Sequence, residues 1–430
     1  MSHVNCVLNR SIFAPEIKQN NMNKSILIAC FLMVSMAGFS QEKISTKFGK
    51  GLYNVISADS SWSMKFGVRF QSLYVGGVSI NDTAGFGSGT NQFLIRRARL
   101  KFGGFAFSPK LKYKIELGLS NRDLGKVDSR NNFAPRMILD AVLKWNFAEN
   151  FVLWAGQTKL PGNRERVVSS ANMQFVDRSL LNSNYNIDRD IGVQLRHHIQ
   201  IGKSFLIREM VAVSQGEGRN LVQTNLGGLQ YTGRLEFLPM GKFAGKGDYI
   251  MGDMKREEKP KLAIGVTYDY NDRAVKNKSN QGSYMMYDRD GDGEDDSYFQ
   301  SNISTIFADL MFKWKGVSIM GEYALRDADN ATPTALADNG DTLSGLVKVG
   351  SGLNITAGYL FKKNWEVALR YTQITPEAIT GSSAHQQYGL GISRYIVGHA
   401  LKVQADVNYL TTEGSSDSGL MYRLQIDIHF

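Results

Sequence analysis

The sequence is poor in the residues that staple or interrupt a fold. It has two cysteines in 430 residues, Cys6 and Cys30. Both fall in the first forty positions, so export with cleavage would leave no disulfide framework, no thiolate metal site and no cysteine nucleophile. Proline is scarce, at 8, which leaves room for many uninterrupted strands. Outside the N-terminus no run approaches the roughly 20 apolar residues that a membrane helix needs. A chain of this kind that enters a bilayer crosses it as strands. Catalytic spacing is missing as well. The histidines are scattered, His197-His198 straddles the two faces of a strand, and neither a Ser/His arrangement nor a pair of acids recurs at a usable distance. The expectation is a non-enzyme without a cofactor and without nucleic acid as a partner. What the chain has in quantity is glycine (43), phenylalanine (23) and tyrosine (18), a composition suited to strands joined by turns.

The N-terminus reads as an export signal. Met22-Asn23-Lys24 is a short basic start, Ile26 to Phe39 an apolar core, and Gly38-Phe39-Ser40 places small residues before Gln41. A lipoprotein signal at Cys30 fits less well, because the apolar run continues beyond it through Phe31-Leu32-Met33-Val34. The expected organisation is an N-terminal extension and signal peptide over 1–40, a periplasmic segment over 41–61, and one β-domain over 62–430. The chain has a formal net charge of +10, a balance that attracts anions.

From Trp62 onward, stretches of about 9–13 residues carry an apolar side chain at every second position, the signature of a transmembrane barrel. Met64, Phe66, Val68 and Phe70 alternate with Lys65, Gly67, Arg69 and Gln71. Near the C-terminus Leu420, Tyr422, Leu424, Ile426 and Ile428 alternate with Arg423, Gln425 and Asp427. The pattern predicts an all-β, transmembrane antiparallel β-barrel of about 16 strands. Lipid is expected on one face of each strand and water on the other. Short turns, such as Lys315-Gly316 and Ala148-Glu149-Asn150, alternate with long loops over 76–91, 121–134, 159–187, 215–227, 271–302, 327–345, 375–385 and 411–418. The connection from Pro239 to Pro260 is long where a short turn is due, and a helical turn or an extra hairpin would account for it. A secreted sandwich or propeller is the alternative. Its strands would average about 5–6 residues, and it would not need Trp and Tyr near strand ends, as at Trp145, Trp314, Trp365 and Tyr409.

A water-filled barrel selects by width and by lining charge. Arg69, Arg97, Arg99, Lys101, Arg196, Arg370 and Arg423 fall on the non-lipid faces, and most such charges would pair across strands with acids. Arg97-Ala98-Arg99-Leu100-Lys101 stands apart as a row of cations with no acid between them, and guanidinium groups suit phosphate because they donate in a planar fork. The segment 159–187 adds Lys159, Arg164 and Arg166. Folded inward, these would line the narrowest point; on the outer surface they would be solvated loop charges. A separate run, Asp288, Asp290, Asp292 and Asp296 with Gly293 at the turn position, resembles the first half of a calcium loop. Phe299 stands where the bidentate glutamate belongs, so a solvated acidic loop competes with an outer-loop calcium site.

The run WAGQTKLPGNRERVVSSANMQFVDRS…NYNIDRDIGVQLRHH, with FLIRRARLKFGG upstream and YLFKKNWEVALRYTQI downstream, resembles the phosphate-selective porin O/P family. The matching residues are Gln157, Lys159, Pro161, Glu165, Arg166, Arg189, Asp190, Gly192, Arg97, Arg99 and Arg370. Gly162-Asn163-Arg164 departs from the family's usual step after the proline. The resemblance implies a sixteen-stranded outer-membrane porin of a Gram-negative bacterium, usually a homotrimer, with its third outer loop folded into the lumen. The function expected is passive diffusion of small anions such as phosphate. A non-selective porin or a mainly structural outer-membrane protein is the alternative.

Overall fold

The computed structural model describes residues 48–430 apart from 82, 84, 126, 128–129, 288–296, 332–342 and 345. The expected signal segment lies outside those residues, and so do Asp288, Asp290, Asp292 and Asp296 of the expected calcium loop.

Sixteen strands make a closed antiparallel barrel: β1 (Ser63–Asn81), β2 (Gly85–Ala106), β3 (Ser108–Gly118), β4 (Ile138–Ala148), β5 (Phe151–Lys159), β6 (Arg189–Ile201), β7 (Phe205–Ser214), β8 (Gln230–Leu238), β9 (Lys261–Ala274), β10 (Ser301–Trp314), β11 (Val317–Ala328), β12 (Gly350–Leu360), β13 (Trp365–Pro376), β14 (His385–Tyr395), β15 (Leu401–Thr412) and β16 (Asp417–His429). Each pairs with its neighbours in chain order. β16 returns to β1, with Arg69 opposite His429 and Asn81 opposite Asp417. A short strand, Tyr53–Ile56, takes the edge of β1 from Ser63 to Phe66, where β16 has already ended. Closure of this kind satisfies the backbone groups that an open edge would expose. None of the described helices is long and apolar enough to cross a membrane.

The alternation in the sequence is the alternation in burial. Along β13, Trp365, Val367 and Leu369 are exposed while Glu366, Ala368, Arg370 and Thr372 are buried. Along β16, Tyr422, Leu424 and Ile426 are exposed while Arg423, Gln425 and Asp427 are buried. This inverts a soluble sheet: the apolar side chains face out and the polar ones face in. Buried polar groups need partners, and here they pair across strands. Arg69 donates to both carboxylate oxygens of Asp427 at 2.9 and 2.7 Å, fastening β1 to β16 at the seam.

Tight turns close one end of the barrel. Lys315 and Gly316 both have positive φ (46° and 97°), the two-residue geometry that follows the twist of the strands. Two connections differ from the sequence reading. The expected loop over 76–91 is instead mostly strand: β1 and β2 stay paired to Asn81 opposite Gly85. Residues 85–93 show no apolar alternation because both faces of this ribbon are exposed, and ladder hydrogen bonds need no side-chain pattern. The turn expected at Ser108-Pro109-Lys110 sits at Phe107, whose φ is 65°. The long connection over 239–260 holds a helical turn, Ala244–Tyr249, and no strand.

Among the described residues the apolar core falls into three clusters. One joins Val168 and Met173 to Phe243 and Met251 and to the wall residues Leu206, Leu238, Ala263, Met311 and Met320. A second packs Leu160, Leu181, Tyr185 and Ile187 on Ala212, Phe307, Ala324 and Ile374. The third gathers Met285, Phe299, Ala331, Val347 and Val349 over Ala274 and Ile303. All three rest mainly on β7–β11.

A basic cavity beside an anchored loop

The β5–β6 connection, residues 160–188, is folded on itself before it meets the wall. Arg164–Val167 and Leu180–Tyr185 are single helical turns. Ser179 caps the second, its Oγ accepting from Asn182 N at 3.2 Å. The Glu165 carboxylate receives Ser179 N at 2.9 Å and Ser179 Oγ at 2.5 Å, tying the two turns together. Lys159 Nζ donates to the carbonyls of Arg166 (2.6 Å), Val167 (3.3 Å) and Val168 (3.3 Å), where the first turn leaves its acceptors unfilled.

Wall side chains then hold this segment from many strands. Arg164 Nε meets Asp309 at 2.6 Å and its Nη2 meets Glu236 at 3.2 Å, all three groups fully buried. Arg69 of β1 donates to Ser170 Oγ at 2.6 Å. Gln174 donates to Glu366 of β13 at 2.8 Å, and Asp406 of β15 accepts from Val176 N at 2.9 Å. Arg326 of β11 donates to the Tyr185 carbonyl at 2.6 Å. The β8–β9 connection adds a brace, Met251 N to the Asn172 carbonyl at 2.9 Å.

Beside the segment lies a cavity of about 840 Å³. Its wall residues come from β1–β6, β13, β14 and β16, on the side away from most of the apolar clusters. Among the described residues, fourteen Arg and Lys line it against five Asp and Glu. That imbalance is the main chemical feature of the site, because fixed like charges in a recess with low-dielectric walls raise the local concentration of counter-ions.

Of the ten basic residues singled out from the sequence, Arg97, Arg99, Lys159, Arg166, Arg196, Arg370 and Arg423 line the cavity. Arg69, Lys101 and Arg164 are not among its lining residues. Arg69 and Arg164 are instead buried in the ion pairs described above. Lys101 stands across the ladder from Glu116. The row Arg97, Arg99 and Lys101 does face acids. Arg97 Nη2 is 3.0 Å from Asp177, and Arg99 reaches Glu116 at 3.0 Å and Asp123 at 2.5 Å. Arg189 grips Asp140 at 3.1 Å, Arg423 grips Asp406 at 2.6 Å, and Arg166 pairs with Asp188.

Seven lining cations have no carboxylate within 4 Å among the described residues: Arg122, Lys144, Lys159, Arg178, Arg196, Arg219 and Arg370. All of them but Arg122 have neutral partners among the described residues. Arg370 lies over the Phe175 ring at 4.3 Å and donates to the Asp177 carbonyl at 2.9 Å. Arg178 donates to the carbonyls of Glu165 (2.9 Å) and Val168 (2.8 Å). Neutral partners fix a guanidinium in place and leave its charge uncompensated.

One lining residue was missed because of a bulge. Gln71 pairs with Arg97 and Ser72 with Ile95, so Arg96 is an extra residue in β2. Both Arg96 and Arg97 are therefore buried, and both reach Asp177, at 2.8 and 3.0 Å. The sequence holds a signal for this. Phe93 and Ile95 put the apolar phase on odd numbers, whereas Ala98, Leu100 and Phe102 put it on even ones, and a strand can change phase only by inserting a residue. Arg122 and Arg219 arrive from connections, where no periodicity could place them. Among the described residues no group of three or more His, Cys, Asp or Glu is placed to hold a metal ion.

Residues 65–241 match the model of the family described as phosphate-selective porin O and P. No curated protein matches the chain. Among solved structures, the outer membrane channel DcaP of Acinetobacter baumannii is 12% identical, with 89% of this chain and 100% of that chain covered and a TM-score of 0.51. An anion-selective porin from Comamonas acidovorans is 11% identical over 86% of this chain and 100% of that one, with a TM-score of 0.49. A trimer form of the outer membrane protein OmpT of Vibrio cholerae is 12% identical over 86% and 100%, with a TM-score of 0.48. At 12% identity the likeness to DcaP is one of fold.

Proposed function

We propose, from the match of residues 65–241 to the phosphate-selective porin O and P family, that this chain is an outer-membrane porin passing small anions, phosphate among them, by passive diffusion. The 160–188 segment acts in this reading as a constriction folded into the lumen. Support for that placement comes from its bonds to β1, β8, β10, β11, β13 and β15, strands distributed around the ring. The short-turn end of the barrel faces the periplasm, and the exposed apolar bands of the strands meet lipid. A homotrimer, which the family resemblance implies, belongs to the same proposal.

The observation that carries the reading is the excess of basic groups around the cavity, seven of them uncompensated. Their summed potential draws anions in and opposes cations. Each passing anion meets donors held at fixed positions, and because these come from separate strands and loops, none needs to bind it tightly. That combination allows entry without trapping. The test is the reversal potential of the purified protein in a planar bilayer under a KCl gradient. The expected result is a reversal potential close to the chloride equilibrium value. A value near zero would indicate a non-selective porin, and one near the potassium value would refute the proposal.

A further inference from the structure

Lys144 of β4, Trp154 of β5 and Arg196 of β6 stand on three consecutive strands and all line the cavity. Lys144 is directly opposite Trp154 in the ladder, and its Nζ lies 3.6 Å from the ring centroid. The Arg196 guanidinium carbon lies 3.9 Å from the same ring. The indole is thus engaged by a cation from each neighbouring strand. Neither cation has a carboxylate within 4 Å among the described residues. Trp154 is half-buried on the polar face, unlike Trp145 on β4, which is 51% exposed on the outer face.

The remaining contacts orient these groups without neutralising them. Arg196 donates through Nε (3.3 Å) and Nη2 (2.8 Å) to Gln194 Oε1. The Gln194 amide is itself fixed, donating to the Lys159 carbonyl at 3.0 Å. Among the described residues, Arg196 Nη1 has only the Met210 sulfur, a weak acceptor, at 3.4 Å. An aspartate in place of the indole would hold the two cations equally well and cancel half their charge. The ring quadrupole attracts both and cancels none.

We propose that Lys144, Trp154 and Arg196 form an oxyanion-binding station in the cavity wall, in which the indole positions two uncompensated cations and a small oxyanion bridges the ammonium and the guanidinium. This rests on the anion-passage reading above and adds to it a particular residence point. The station differs in kind from Arg97, Arg99, Arg189 and Arg423, whose charges are already met by acids.

The experiment measures inhibition of chloride conductance by inorganic phosphate, with the chain from Gln41 refolded into planar bilayers. Trp154→Leu raises the half-inhibiting phosphate concentration about fivefold, the loss expected from one or two partly desolvated cation–π contacts. Trp154→Phe, which keeps a π face, stays within about twofold of the unaltered chain. Lys144→Gln and Arg196→Gln each raise it at least as far as Trp154→Leu. Trp145→Leu, on the outer face of the same region, leaves it unchanged. Should Trp154→Leu fail to insert, phosphate titration of tryptophan fluorescence in detergent reads the same site: the unaltered chain responds and Trp154→Phe does not. Equal half-inhibiting concentrations for Trp154→Leu and the unaltered chain, or a fluorescence response that survives Trp154→Phe, overturns the station alone. An unaltered chain without preference for chloride over potassium overturns the reading beneath it.

Discussion

Arginines in this barrel fall into two groups that the sequence does not separate. Arg69 and Arg370 both alternate with apolar neighbours, and both are buried on the polar face. Arg69 is matched by Asp427, whereas Arg370 is held by a phenyl ring, a carbonyl and the Asn408 amide oxygen. Their substitutions should therefore fail in different ways. Arg69→Ala leaves Asp427 as a buried carboxylate without its partner, and should cost about 3–5 kcal/mol. The barrel should unfold at lower denaturant, as read by the heat- or urea-dependent shift in gel mobility, while chloride preference stays near that of the unaltered chain. Arg370→Gln removes a charge that no acid balances. It should leave stability within about 1 kcal/mol, because no acid is left without its partner, and lower the chloride-to-potassium permeability ratio in a KCl gradient. A loss of selectivity in Arg69→Ala together with none in Arg370→Gln would reverse the assignment.

At the scale of elements, most strands were legible because an apolar outer face and a polar inner face impose a period of two on them. β13 and β16 could be placed to within a residue or two on that ground alone. The β1–β2 ribbon was not, since both of its faces meet solvent and its glycine-rich tip carries no pattern. Nor could spacing reveal how residues 160–188 are tied down. Arg164 finds Asp309, and Val176 finds Asp406, across more than a hundred residues of intervening chain. The 239–260 connection was recognisable as too long for a turn, but its task was not. Phe243 and Met251 fill the cluster beneath Val168 and Met173, and the Met251 amide braces Asn172. Met251→Ala should cost about 2–5 kcal/mol through the cavity it leaves. Because the brace supports the 160–188 segment, the variant should also show larger current fluctuations in single-channel records. Quiet records with unchanged unfolding would mean that the connection does not support the loop.

For the molecule as a whole, apolar packing and basic lining are separated within one ring of strands. The three clusters rest mainly on β7–β11, and the cavity takes its wall from β1–β6, β13, β14 and β16. Composition announced the positive balance, but only closure of the barrel brings Arg122, Arg219 and Arg370 to one space. The central claim is that this space is strongly positive. Cys6 and Cys30 both precede Gln41, so a chain expressed from Gln41 has no thiol of its own, and one can be introduced at Ser183, an exposed lining residue. The decisive measurement is the rate at which Ser183→Cys reacts with a sulfonate-bearing and with a trimethylammonium-bearing methanethiosulfonate, each relative to its rate on a free thiol in solution. A positive cavity accelerates the anionic reagent over the cationic one by about tenfold or more at low salt, and the difference shrinks as salt is raised. Equal relative rates, or a faster cationic reagent, would contradict the account.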